Sequence, residues 1–552
     1  MAKNNHKVNI DFTKFANLFK NKKWLYVYYP IVALVLFLVF YVTLPAINFA
    51  SEGFWAYLTF ALILCVLPFI FKKTTTYSQE YQRPVTVAKL NPLALIVAIP
   101  IIISIIGGIF SSSFFFAKTY SSVIDVKEAV FEEDMPETDN VTNIALMDTA
   151  SAQIVGERTL GDLSDVVSQY EISETYNQIN YKKTPKKVAS LEYAGFFKWL
   201  GNKSKGIPGY VSVDPVSVNS AEYIEFKKPI YYTESAYFSK DLMRKLRFSY
   251  PTKILGEPHF ELDDDDNPYY IVACYKPNVF MFGAKDVSEV IIFNPCDGSS
   301  VKYPIGNVPS WVDIVYDGYL ASEKYNWQGM YSGGWLNSVI GQKGCKQTTD
   351  DFGYLILEDD VWYFTGVTSV NNDESNIGFI LSNARTGEYK YYPVIGAEEY
   401  SAMGAAEGEV QEKGYKASFP ALINVKGEAT YIMVLKDDNG LVKLYALVNV
   451  KSYGIVATGT TQQKAMDAYK ELLYEHGILS GEEVSTTNEV EITVHDIWEV
   501  DKTIYIRSTD KQVFKTAFDE KLLLIFSGDK IKITYNTEST NGIFEIVKYT
   551  KQ

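Results

Sequence analysis

Histidine and cysteine are scarce in this chain, and basic charge is outnumbered. Four His and four Cys occur among 552 residues. His259, His476 and His495 lie far apart and none has an H-x-x-x-H partner, which argues against a helical zinc hydrolase site. Cys274, Cys296 and Cys345 are an odd set beyond the N-terminal apolar part, so a disulfide framework is excluded. A single bridge stays open, and spacing does not choose the pair. With 66 acidic against 52 basic residues the net charge is −14. That argues against a nucleic-acid partner, which needs a basic face. No G-x-S-x-G elbow, Walker A loop or Rossmann fingerprint occurs. No cofactor is expected.

Charge is also missing from three long apolar runs, Trp24–Leu44, Phe54–Phe71 and Pro92–Phe110, the last with an apolar continuation to Phe116. Each is long enough to cross about 30 Å of hydrocarbon as a helix. Without intramembrane Asp, Glu, Lys, Arg or His, ion or proton transport is disfavoured. Trp24, Tyr26, Tyr28 and Tyr29 stand where an interfacial aromatic belt belongs. Lysines at 3, 7, 14, 20, 22 and 23 precede the first run. The loop 45–53 has no Lys or Arg, and the loop 72–91 carries Lys72, Lys73, Arg83 and Lys89. The positive-inside rule then places the N-terminus in the cytoplasm and everything after about Lys118 outside it. The expected localisation is a plasma membrane, multi-pass. Ser104, Gly108 and Ser112 recur every fourth residue, a spacing that lets helices approach closely. They serve either packing against the chain's own spans or assembly of a homo-oligomer.

The expected organisation is a basic, amphipathic cytoplasmic segment at 1–23 and a three-helix transmembrane domain at 24–117. A polar stalk follows at 118–145 and an α+β subdomain at 146–254. Repeated α+β modules occupy 255–480 and a small β-barrel 490–552. The fold class is thus membrane α-helical at the N-terminus and α+β, β-rich beyond it. "NIALMDTASAQIVGERTL" reads as strand, turn and strand. Ser235 is placed to cap a helix carrying Arg244, Lys245 and Arg247, either a solvated face or an anion site. Aromatics reach 15%, with 41 Tyr, suited to sheet faces and recognition surfaces.

An internal echo marks the modules. Asn294, Asp297, Gly298, Tyr303 and Pro304 stand at the same spacing as Asn383, Thr386, Gly387, Tyr392 and Pro393. A looser copy turns at Asp438, Asn439 and Gly440. Each predicts a hairpin with glycine supplying positive φ. "HFELDDDDNPYYIVACY" followed by "VIIFNPCDGSSVKYP" resembles PepSY-type modules, with Asn294 and Asn383 where the turn's first Asp would stand. "DESNIGFILSNARTGEYKYY" and "TYIMVLKDDNGLVKLYALVNV" resemble a family of uncharacterised bacterial membrane proteins with a few N-terminal spans and a large external region. The resemblance covers roughly residues 145–475. It implies a cell-envelope protein holding inhibitory or peptide-binding units. The terminal strands read as an OB- or SH3-like barrel.

Candidate chemistry is sparse. Asp263, Asp265 and Asn267 match alternate calcium-loop positions, but Pro268 replaces the needed Gly and Cys274 the closing Glu, so a solvated turn is the simpler reading. Glu398, Glu399 and Glu407 could serve acid–base chemistry if burial separated their pKa values; a helix surface is the alternative. The function expected is a non-enzymatic envelope scaffold that contacts the bilayer and binds an envelope protein or polymer. The alternatives are a membrane-bound enzyme acting on peptidoglycan or peptide, or a subunit of a larger membrane complex.

Overall fold

A computed structural model describes residues 22–78, 83–138, 141, 144–216, 220–357, 359–370, 372–479, 487–500, 503–540 and 542–551. The expected amphipathic segment before Lys22 lies outside these residues. The chain divides into two compact units, Met1–Gly454 and Ile455–Gln552.

Three helices are long and apolar enough to span a membrane: Leu25–Thr43, Glu52–Phe69 and Pro92–Phe110. Their side chains are mostly exposed, as a hydrocarbon solvent requires. The loop between the second and third is an antiparallel hairpin, Phe71–Ser78 with Arg83–Leu90. The third span ends where Ser111 and Ser112 break the helix, and Ser113–Ser121 begins a new one.

The β-rich part of the first unit is not carried on a stalk. Val126–Glu128 adds a parallel strand beside Tyr389–Tyr391. Phe131 is buried with its ring 5.8 Å from Tyr392, and the Thr138 N–H donates to the Asn424 carbonyl at 2.8 Å. Few apolar residues occur in 118–145, but Phe131, Met135 and Val141 are all buried and pin the segment down. Nor do 146–254 and 255–480 form separate bodies. In strand Pro268–Val279, Tyr270, Val272 and Cys274 enter a core with Val188, Leu191 and Val211 from the preceding region. Ile271 and Ala273 face an opposite core with Val290 and Val315. Alternation thus buries both faces of one sheet and fuses the two expected subdomains.

That sheet is a meander of Ile254–Leu262, Pro268–Val279, Gly283–Phe293 and Ser300–Pro304. The three echoed turns are all hairpin turns. Gly298, Gly387 and Gly440 have φ of 81°, 71° and 73°. The Asn294 side chain accepts from the Cys296 N–H at 2.9 Å, and Asn383 accepts from Arg385 and Thr386 at 2.9 and 2.8 Å. An amide oxygen therefore serves the role a carboxylate would. Residues 149–161 form a helix, Thr149–Gly161, rather than two strands. Asp148 caps it through the Ser151 N–H at 2.8 Å, and Ala152, Val155 and Leu160 give it a buried face.

In the second unit Thr461 caps helix Gln462–Glu475, which stops before Gly477 at φ 71°. Thr487–Val500, Thr503–Ser508, Val513–Ala517, Lys530–Thr540 and Ile543–Lys551 close into a barrel. Ile492, Ile506, Phe514, Ile531 and Ile533 fill it. This unit begins at Ile455, within the span 255–480 expected for the modules.

Candidate functional site

The metal and assembly candidates are used locally. The Asp263 carboxylate accepts from the Asp265 and Asn267 N–H groups at 2.9 and 2.8 Å and from the Asn267 side chain, so it closes its own turn. Among the described residues no cluster of three His, Cys, Asp or Glu is arranged to hold a metal. No disulfide forms, and Cys274 and Cys345 are buried thiols. In the third span the close approach falls on Gly107, whose added Cβ would lie 2.8 Å from the Phe282 ring and 2.9 Å from the Met281 sulfur. Gly108 faces open space, Ser104 is half-buried and Ser112 lies beyond the helix end. The packed face is therefore turned by one residue from the expected one.

The three glutamates do not converge. Glu398 caps helix Glu399–Glu409, accepting from the Ser401 N–H at 2.6 Å. Glu407 pairs with Lys416 at 2.8 Å. Glu399 is fully buried and accepts from the Gly366 N–H at 2.6 Å; burial pushes its carboxyl up to about 7. A second buried carboxylate, Glu261, accepts from the Asp313 and Ile314 N–H groups at 2.8 and 2.9 Å and holds that loop to the sheet. Burial, then the adjacent Asp313, raises its pKa well above the ordinary range. Neither Glu261 nor Glu399 is open to a substrate.

The concave surface lies elsewhere. Strand Gly353–Leu357 pairs with Asp360–Ser369 and, among the described residues, has no strand on its other edge. Strand Ala421–Val425 pairs with Glu428–Lys436, and its other edge is bridged at Asn424 by Glu137. Leu355, Ile356 and Leu357 from the first strand and Leu422 and Ile423 from the second line a cavity of about 860 Å³, with Lys183 at its rim. A second cavity of about 400 Å³ shares Tyr354 and Ala145 with it. There Lys187 is buried, 4.9 Å from the Tyr354 ring centroid and 3.5 Å from the Thr149 hydroxyl. Desolvation brings its ammonium down to about 8, against the opposing pull of Asp148. Gln178, 2% exposed, has a side-chain N–H₂ with no hydrogen-bond partner among the described residues. The two cavities form a groove with apolar and backbone-lined walls and a cation and an amide at one end. Such a groove suits an extended chain, held by backbone pairing along the edge and by alternate side chains. The sequence reading did not find it: Lys187 ends the basic run "KKTPKK", where nothing local distinguishes a buried lysine from a solvated one.

No known protein family and no curated protein matches the chain. Among solved structures it is similar to the endo-arabinase of Bacteroides thetaiotaomicron, at 10% identity, with 51% of this chain and 74% of that chain covered and a TM-score of 0.16. At that score neither fold nor activity carries over.

The basic helix Leu242–Ser249 has a definite use. The Arg247 Nε donates to the Leu44 carbonyl at 2.9 Å, and Arg244 Nε donates to the Tyr41 carbonyl at 3.1 Å with its guanidinium 4.2 Å from the Tyr41 ring. These are carbonyls at the end of the first span, which have no helical partners and carry the negative end of the dipole. Neither a solvated face nor a separate anion accounts for these arginines: they serve the carbonyls of the helix terminus.

Proposed function

We propose that this chain is a membrane-anchored, extracytoplasmic binding and scaffold protein of a bacterial cell envelope, without catalytic activity. The groove beside the edge strand Gly353–Leu357 carries this reading, because an unpaired strand edge beside apolar walls offers main-chain hydrogen bonds to a partner segment. The Asn-nucleated hairpins support the PepSY-like reading of the modules. The barrel's strand order, first-second-third-fifth-fourth with third and fifth parallel, supports an OB-like rather than an SH3-like reading. The partner is an envelope protein or polymer in extended form. A photoreactive amino acid at Ile356 should trap one reproducible envelope partner in cells, whereas the same group at exposed Glu409 should not. Equal capture at both positions, or turnover of an envelope substrate by the pure protein, would count against the proposal.

The orientation rests on the lysine distribution. In intact cells an impermeant thiol reagent should label cysteine placed at Ala50 or in the barrel and spare cysteine placed at Glu80. Labelling at position 80 alone would reverse the topology.

A further inference from the structure

The first and third spans run in the same direction, since the second returns the chain between them. Their C-terminal ends therefore reach one face of the membrane, and the β-rich region meets both. At the first, the Ile47 N–H donates to the Pro251 carbonyl at 2.7 Å, beside the two arginine contacts. Phe248 packs 5.7 Å from Phe40. At the third, the Ser111 hydroxyl accepts from the Met281 and Phe282 N–H groups at 3.1 and 2.9 Å, and the Tyr120 hydroxyl donates to the Ser111 carbonyl at 2.6 Å. Around these two junctions stand large apolar side chains with no protein over them: Phe197 and Phe238 near the first, Phe280, Leu336, Val339 and Ile340 near the third. All six are more than half exposed, Ile340 by 76%. They are continuous with the spans. The Phe280 ring lies 6.0 Å from Phe110, and Trp335, which opens the turn bearing Leu336 and Ile340, lies 4.6 Å from Phe114. Arg244 also donates to the Phe238 carbonyl at 2.8 Å, tying that corner to the first span's end.

Each such side chain left in water forgoes the free energy its burial would release. Gathered at the ends of the spans, they make the kind of apolar surface that marks a membrane or partner contact. We infer that this rim lies in the headgroup–acyl boundary of the leaflet from which the first and third spans emerge. It beds the β-rich region directly on the bilayer to a depth of roughly 5–10 Å. The occupant is lipid because hydrocarbon already surrounds the spans that rise through the rim. Lys198, Lys240, Lys245 and Lys343 stand in the same segments and suit headgroup phosphates. The inference rests on the reading that the three helices cross a bilayer.

The test uses the full chain in phosphatidylcholine vesicles doped with a lipid bearing a diazirine high on its acyl chain, photolysed and mapped by peptide mass spectrometry. Adducts are expected in the spans and at residues 197, 238, 280 and 336–340, at ~10-fold or more the yield at Asp264. That turn is at the far end of strand Pro268–Val279, roughly 40 Å from Phe280. Adducts in Leu25–Thr43 with none on the rim would overturn the inference and leave the spans in the membrane. An unlabelled rim in a chain that is also dimeric would assign the surface to a second copy. No adducts in the spans would remove the membrane reading and this inference with it.

Discussion

Replacing Glu399 with glutamine should stabilise the protein above pH 7 by about 3 kcal/mol and change it little below pH 4.5. The folded carboxyl titrates at about 7, because burial outweighs the hydrogen bonds from its own backbone, Gly366 and Thr349. Its ordinary value is 4.5. Between those values the folded state holds a proton that the unfolded chain has lost, so stability falls as pH rises through the window. Below 4.5 both states are protonated and nothing is lost. Above 7 the loss is complete, and 2.5 units at 1.36 kcal/mol each give the figure of about 3 kcal/mol. Glutamine keeps an acceptor for the Gly366 N–H and has no charge to desolvate. Thermal unfolding of both proteins in detergent from pH 4.5 to 8 should show the gap in Tm opening with pH. Parallel curves would show that the Glu399 carboxyl titrates alike in the folded and unfolded chain, so that burial does not shift it. Asp313 and Glu234, each raised to about 7 by burial, act with the same sign, so the wild type should also lose stability toward alkaline pH.

Arg247→Ala should cost about 3 kcal/mol. One guanidinium donates to three carbonyls, those of Leu44, Tyr250 and Lys253, at 2.9, 3.4 and 2.5 Å. Its removal leaves buried acceptors without donors and a helix C-terminus with Arg244 alone beside it. Arg247→Lys keeps the charge but not the fork, and an intermediate loss is expected. The loop 45–51 should become sensitive to protease in both variants, in the order Ala above Lys. A Tm for Arg247→Ala equal to that of the wild type would mean that the contact with the first span carries no energy.

Much of the local structure was legible because it depends on near neighbours. The three echoed hairpins followed from an Asn or Asp, a Gly at fixed offset and flanking apolar strands. The barrel strands followed from two-residue alternation, and the helix Gln462–Glu475 from its apolar periodicity and Gly477, with the cap one residue later, at Thr461, than the Thr460 the sequence suggests. The helix Thr149–Gly161 was missed because "TASAQ" is weakly apolar, while its signal was the Asp148 cap. The stalk reading failed for a related reason: composition averages over a segment, but a few buried anchors such as Phe131 and Met135 suffice to fix it. The candidate site was largely illegible, since the edge of Gly353–Leu357 lies more than 150 residues along the chain from Lys187 and Gln178.

By itself the sequence determined which stretches are apolar enough to span a membrane, and where the chain must turn, because both depend on runs of adjacent residues: the cost of burying polar backbone in lipid, and the backbone freedom of glycine. Only the tertiary structure decided that Arg247 closes a helix end 203 residues away, that Glu399 is sealed from solvent rather than exposed, and that two strand edges border one groove. Those outcomes depend on which surfaces the packing of sheets brings together, and that packing is set by alternating buried faces along whole strands rather than by any short motif.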